Sequence, residues 1–213
     1  VQAHRQTGSI FKAIVYSAAV ETLGWGPQTA IVDAPITFTS AGSPPWSPHN
    51  YDMKFEGTIT VQHAVEESRN IPAIKTLQAI GVEKGIEYAR KLGLKDDLPP
   101  YLPIAIGAGE AALDEMVAAF GTIANEGLRM TPMLITKITD NEGNVLEEKL
   151  PEAHDALRPE TAATCRKPTP SLVFSLRCNG HGFRRLARNG RRRTTGEERL
   201  RTTPRRSDAS THA

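Results

Sequence analysis

Over residues 9–23 the apolar side chains Ile10, Phe11, Ile14, Val15, Ala18, Ala19 and Leu23 recur at helical spacing, and Gly24 supplies a stop. So many apolar positions predict a buried helix. Residues 25–57 are rich in Pro, Gly, Ser and Asn, hold Trp46 and Tyr51, and sustain no period, which predicts a long ordered loop. Thr60 is placed to cap a short helix ending near Glu67. Asn70, with Pro72 behind it, opens another that carries Ile74, Leu77 and Ile80 to Gly81. Helical spacing continues over residues 82–92 and stops at Gly93. Asp114 is a candidate cap for a helix through Met116, Val117, Phe120 and Ile123 that ends at residues 125–127. The period then changes. Residues 133–139 and 144–148 are β-prone and flank Asp140, Asn141, Glu142 and Gly143, which predicts a hairpin. No internal repeat is present, and after Ala163 the apolar periodicity dissolves.

Charge divides the chain at the same place. Residues 165–213 carry 13 basic side chains, twelve Arg and Lys167, against three acidic ones, a net of +10. The first 164 residues carry 13 basic and 21 acidic, a net of −8. With Arg191, Arg192 and Arg193 in a row, Arg205 and Arg206 paired and almost no apolar periodicity, the tail is expected to be disordered. Two domains of unlike character follow: residues 1–164, and a basic tail over 165–213. Both cysteines, Cys165 and Cys178, lie in the tail without zinc-site spacing, so no metal or cofactor is expected. No stretch approaches the run of about 20 apolar residues that spans a bilayer. The N-terminus lacks a basic segment followed by an apolar one, so the chain as given is expected to carry no export signal or anchor.

The string His4-Arg5-Gln6-Thr7-Gly8-Ser9-Ile10-Phe11-Lys12 places a serine and a lysine three apart at the head of an apolar helix, on one face. A serine hydroxyl needs a base to become a nucleophile at neutral pH. A lysine serves when desolvation and the positive helix terminus lower its pKa, and the same N-H groups can help to stabilise an oxyanion. On its own the spacing also arises by chance in many soluble helices. A second element, Ser68-Arg69-Asn70, lies between two short helices. There a hydroxyl can relay a proton and an amide can hold a substrate amide. Equally, Asn70 can cap the helix that follows.

Together these strings resemble the S-x-x-K and S-D-N motifs of penicillin-binding proteins and β-lactamases, although the middle residue of the second is Arg69 here. The likeness extends to residues 5–16, RQTGSIFKAIVY, and to residues 50–81, NYDMKFEGTITVQHAVEESRNIPAIKTLQAIG. It continues through EYARKLGL at 87–94, LPIAIGAGEAALDEMVAAFGTIANEG at 102–127 and the hairpin ITKITDNEGNVLEE. In the family's order these cover most of the first 164 residues, which resemble the transpeptidase domain of class A, bifunctional penicillin-binding proteins. The resemblance implies an α/β fold of the penicillin-binding transpeptidase and serine β-lactamase kind, helices packed on an antiparallel sheet, here incomplete. It implies that Ser9 attacks the penultimate D-alanine carbonyl of a peptidoglycan stem peptide and that Lys12 takes its proton. Ser68 and Asn70 would complete the catalytic and substrate-binding set. An amine from a neighbouring stem would then resolve the acyl-enzyme into a cross-link, and β-lactams would acylate the same serine. The parent protein would be anchored at the outer face of the bacterial cytoplasmic membrane.

Three departures qualify the resemblance. Thr7 and Ala13 stand where the family usually has prolines. The nucleophile comes only eight residues after Val1, so the glycosyltransferase domain, the membrane anchor and the first sheet strands are expected to be missing. No Lys-Thr-Gly follows the hairpin; Arg193-Thr194-Thr195-Gly196 is a superficial stand-in. The resemblance stops near Thr164, as a reading-frame shift would make it, and the fragment is expected to be inactive and poorly stable, with apolar helix faces exposed. Two other readings stay open. The tail could be a basic arm for nucleic acid or anionic polymer, although it lacks aromatic interleaving and an exported wall enzyme would meet no nucleic acid. A serine β-lactamase or D,D-carboxypeptidase is the rival within the enzyme class.

Overall fold

Helix α1 (Lys12–Leu23) has apolar residues all round its circumference and is buried accordingly, Phe11, Ile14, Val15, Ala18 and Ala19 almost completely. It ends at Gly24, whose left-handed φ of 66° only glycine adopts without steric cost. In this computed structural model, which describes residues 3–40 and 42–166, α1 is the axis on which the other helices pack. They are α3 (Asn70–Ile80), α4 (Val82–Lys91) and α6 (Pro159–Arg166). Phe11, Ile14, Val15 and Ala18 meet Ile74, Leu77, Tyr88, Leu92, Ile104, Met116, Ile123 and Leu157 in the main core. Each large side chain there contributes about 1.5–3 kcal/mol by leaving water. A smaller cluster joins Tyr16 to Ile31, Val61, Ala64 and Ala73.

The expected loop over residues 25–57 contains strands. Strand β2 (Ala30–Asp33) pairs antiparallel with β5 (Gly57–Thr60), Ala30 opposite Thr60 and Asp33 opposite Gly57. Between them β3 (Phe38–Ser40) and β4 (Ser43–Trp46) form a hairpin in which the rings of Phe38 and Trp46 stack at 5.5 Å. Runs of three or four residues, one with two prolines, are too short to show an alternating period, so composition outweighed it.

Thr60 ends β5 and starts α2 (Val61–Glu66), its hydroxyl accepting from the His63 backbone N–H at 3.2 Å. Replacing Thr60 by alanine is expected to lower stability by about 1 kcal/mol, read as a shift of the urea midpoint at unchanged slope. Asp114 is not the cap expected of it. Strand β6 (Glu110–Ala112) runs directly into α5 (Leu113–Ala124), so extended Ala112 takes the cap position and Asp114 falls in the first turn. One carboxylate oxygen each of Asp114 and Glu115 is buried there without a hydrogen-bond partner among the described residues.

Strand β1 (His4–Gln6) pairs with β6, and β7 (Leu128–Met130) with β10 (Ala153–Asp155). The predicted hairpin is present as β8 (Lys137–Thr139) and β9 (Val145–Glu148). Its turn is closed by Asp140, whose side chain accepts from the N–H groups of Glu142 and Asn144. The fold is thus a partial α/β arrangement in which, among the described residues, the strands form five separate antiparallel pairs. Leu113 and Val117, one turn apart on α5, are exposed, as are Leu134, Ile135 and Leu146 in and beside the hairpin. Helix α6 continues through Thr164 to Arg166, whose guanidinium donates to the Ala124 carbonyl at 3.2 Å. No helix of the described residues is long and apolar enough to cross a membrane. The rest of the tail, with its proposed disorder, its polymer-binding reading and Arg193 to Gly196, lies outside the described residues.

Candidate active site

Ser9 sits in a 3-10 turn, Gly8–Phe11, that leads into α1, so the helix proper begins at Lys12 and not at the serine. Residues three apart eclipse in such a turn, which keeps Ser9 and Lys12 on one side. The turn is held from behind. Thr7 N–H donates to the Gly109 carbonyl at 3.0 Å and Gly8 N–H to the Gly107 carbonyl at 3.3 Å. Gly107 has φ of 84°, and a Cβ there would overlap the backbone of Gly8. Only glycine lets the two backbones approach this closely. Ser9 itself is exposed, and its hydroxyl makes no hydrogen bond among the described residues.

Lys12 is the opposite case. Only 4% exposed, its ammonium donates to the Ser68 carbonyl at 2.6 Å, to Ser68 Oγ at 3.1 Å and to Asn70 Oδ1 at 2.7 Å. Three donors meet three neutral oxygens. No carboxylate offsets the loss of water, and burial pulls the Lys12 pKa down to about 8. Three of the four residues singled out from sequence, Lys12, Ser68 and Asn70, are therefore in direct contact, although 56 and 58 residues separate the lysine from its partners. Ser9 is brought to the same turn without a hydrogen bond to any of them.

Ser68 joins α2 to α3 in the left-handed region, at φ of 51°. A non-glycine residue there costs of order 1 kcal/mol and persists only where its surroundings enforce it. Here the enforcement comes from the end of α2, whose Ala64 and Val65 carbonyls accept from the Arg69 N–H at 2.9 Å and the Ser68 N–H at 3.2 Å, and the Arg69 side chain ties the same turn to the segment before it. Arg69 is buried and donates to Asp33 Oδ2 at 3.0 and 2.8 Å, to Asp52 at 2.9 Å and to the Lys54 carbonyl at 2.7 Å, with Glu56 at 3.3 Å. Asp33 is itself fully buried at the end of β2. Such a pair adds little net stability, yet removing one partner strands the other charge in the interior.

Asn70 does not cap α3. It is the first residue of the helix, Arg69 holds the cap position, and the N–H groups of Asn70 and Ile71 donate instead to Asn50 Oδ1 at 2.8 and 3.2 Å. Relieved of that role, the Asn70 side chain spans the site: its NH2 donates to the His49 carbonyl at 2.9 Å while its oxygen receives Lys12. Spacing alone did not single out Asn50, Asp33 or Arg69 as parts of the site; the signal available was that Asn50 opens the second stretch of family likeness. Among the described residues no group of three or more His, Cys, Asp or Glu is disposed to hold a metal ion.

The sequence matches the family described as penicillin binding protein transpeptidase domain over residues 1–167. Penicillin-binding protein 1A of Aquifex aeolicus is 38% identical over 165 residues, covering 76% of this chain and 22% of that protein. The protein of the same name from Neisseria lactamica is 37% identical over 180 residues, covering 81% of this chain and 22% of its own length. The chain thus spans less than a quarter of the curated relatives it matches. Among solved structures, penicillin-binding protein 1A from Haemophilus influenzae aligns with a TM-score of 0.75 at 25% identity, over 79% of this chain and 30% of that one. Penicillin-binding protein A from M. tuberculosis, solved as an imipenem acyl-enzyme complex, shares the fold with a TM-score of 0.67 at 21% identity, over 77% of this chain and 42% of that one.

Proposed function

The chain belongs to the penicillin-binding protein transpeptidase family, and from that premise we propose that it carries the nucleophile region of a serine-type peptidoglycan D,D-transpeptidase. The observation that carries the reading is the buried Lys12 held by Ser68 and Asn70 beside an exposed, unengaged Ser9. In its neutral form Lys12 accepts the Ser9 proton as Oγ attacks the penultimate D-alanine carbonyl of a stem peptide. Ser68, in contact with Lys12, is placed to pass that proton to the departing D-alanine amine, leaving an ester on Ser9. A neighbouring stem amine displaces the ester and forms the cross-link. A β-lactam acylates Ser9 by the same attack, with the ring nitrogen as leaving group. Membrane anchoring at the outer face belongs to the parent protein in this reading.

The 213 residues contain no Lys-Thr-Gly. In this reading they therefore lack a carboxylate anchor and a completed oxyanion site, and the chain by itself is inactive. Incubated with a fluorescent penicillin, it is expected to show no adduct by intact mass. A hybrid in which residues 3–164 replace the matching segment of a relative's transpeptidase domain is expected to be labelled stoichiometrically on the peptide containing Ser9. Label on any other residue of the hybrid would overturn the proposed function. A stoichiometric adduct on the 213-residue chain would overturn its inactivity.

A further inference from the structure

The buried contacts around α3 assign a job to a residue that touches neither Ser9 nor Lys12. Asn50 is 2% exposed, and its side chain makes four hydrogen bonds. Its oxygen receives the N–H groups of Asn70 and Ile71, while its NH2 donates to Asp33 Oδ1 at 2.8 Å and to the Lys54 carbonyl at 2.9 Å. An asparagine side chain has two acceptor positions and two donors, so all four are used. The residue before it, His49, supplies the carbonyl that takes the Asn70 NH2. That bond decides which way the Asn70 amide faces: nitrogen toward His49, oxygen toward Lys12.

We propose that Asn50 is a positioning residue for the acylation step, acting through Asn70 on Lys12. One side chain caps α3, anchors the cap to the buried Asp33–Arg69 pair, and sets the backbone of residue 49 where it orients the Asn70 amide. The proposal rests on the transpeptidase reading for its purpose, but not for its test.

The test follows Lys12 itself. In the full chain, labelled with carbon-13 at the lysine ε position, the Lys12 resonance is identified as the one lost in Lys12→Arg, and its titration is followed by NMR. Lys12 is expected to titrate near 8 in the unaltered chain. In Asn50→Ala the Asn70 amide loses its hold, water reaches the ammonium, and the midpoint is expected to rise by about one unit or more toward that of an ordinary lysine. Thr60→Ala removes a cap of similar value from α2 and is expected to leave the Lys12 midpoint in place while lowering stability. Should Asn50→Ala fail to fold by circular dichroism, Asn50→Ser decides, since its shorter hydroxyl leaves room for a water to meet the Asn70 N–H but lacks the amide that reaches Asp33 and Lys54. An unchanged Lys12 midpoint in the folded variant overturns the proposal, as does an unaltered chain in which Lys12 already titrates as a free lysine. An unlabelled hybrid in which Lys12 still answers to Asn50 would sink the transpeptidase reading and leave the positioning role standing.

Discussion

Alanine in place of Ser9 is expected to abolish covalent labelling of the hybrid transpeptidase by penicillin, with no measurable change in its melting temperature. The two halves of that result come from one observation. Because the Ser9 side chain is exposed and bonds to nothing among the described residues, truncating it removes no contact, and surface changes of this kind stay within about 0.5 kcal/mol. The chemistry fares differently, since the ester bond is made to the Ser9 oxygen and no neighbour can replace it. Ser68 offers the other hydroxyl of the site, but it is already engaged by Lys12 Nζ at 3.1 Å. Intact mass before and after exposure to the label reads the outcome. Labelling that survives the substitution would mean that another residue is the nucleophile.

Lys12→Arg is expected to slow acylation of the same hybrid by about 10²- to 10⁴-fold, the range that a positioned general base contributes. Guanidinium keeps its proton at any working pH, so a charge remains while the base is lost. The wild-type rate is expected to rise with pH through a midpoint near 8, because burial lowers the Lys12 pKa and the neutral amine appears there and not near 10.5. At pH 7 about a tenth of the molecules already hold the neutral form. The arginine variant is expected to show no such rise, and stopped-flow acylation across pH 6 to 10 separates the cases. A variant that keeps both the rate and the midpoint would show that a different group takes the proton. The same lowered pKa has a stability cost with a definite sign. The protonated amine is disfavoured in the fold, so the penalty is complete below about 8 and is relieved as pH rises toward the unfolded value of 10.5.

Local signals in the sequence proved legible where one turn of chain decides the structure. The helical period of α1, the Thr60 cap and the Asp140 turn all depend on residues within four positions of each other. What failed depended on distance. Asp114 has the chemistry of a cap, but β6 is committed to pairing with β1 and carries the chain into α5 two residues too early. Asn70 too has cap chemistry, yet a residue 20 positions away performs that role, because α3 begins against the 49–54 segment. The place of Ser68 and Asn70 at Lys12 was reached by family likeness, since no periodicity links positions 12, 68 and 70. Arg69 looked like a departure from the usual motif. Its three hydrogen-bonding partners lie 15 to 36 residues back along the chain, one of them on a strand not expected at all, so only the folded chain shows why a long cation occupies the site's middle position.

The burial of α1 on every side over residues 14–19 bears on how such a site can be lost. Amide hydrogens of a helix that no surface covers on one side only are released to solvent by opening the whole unit, whereas the exposed hairpin β8–β9 can exchange by local fluctuation. Lys12 is the first residue of that helix, and the serine turn that leads into it is tied from behind to the carbonyls of Gly107 and Gly109. Heat or denaturant is therefore expected to remove Lys12 from its partners in the same cooperative step that dissolves the core, and the slowest-exchanging amides among the described residues are expected to mark the helix that carries Lys12.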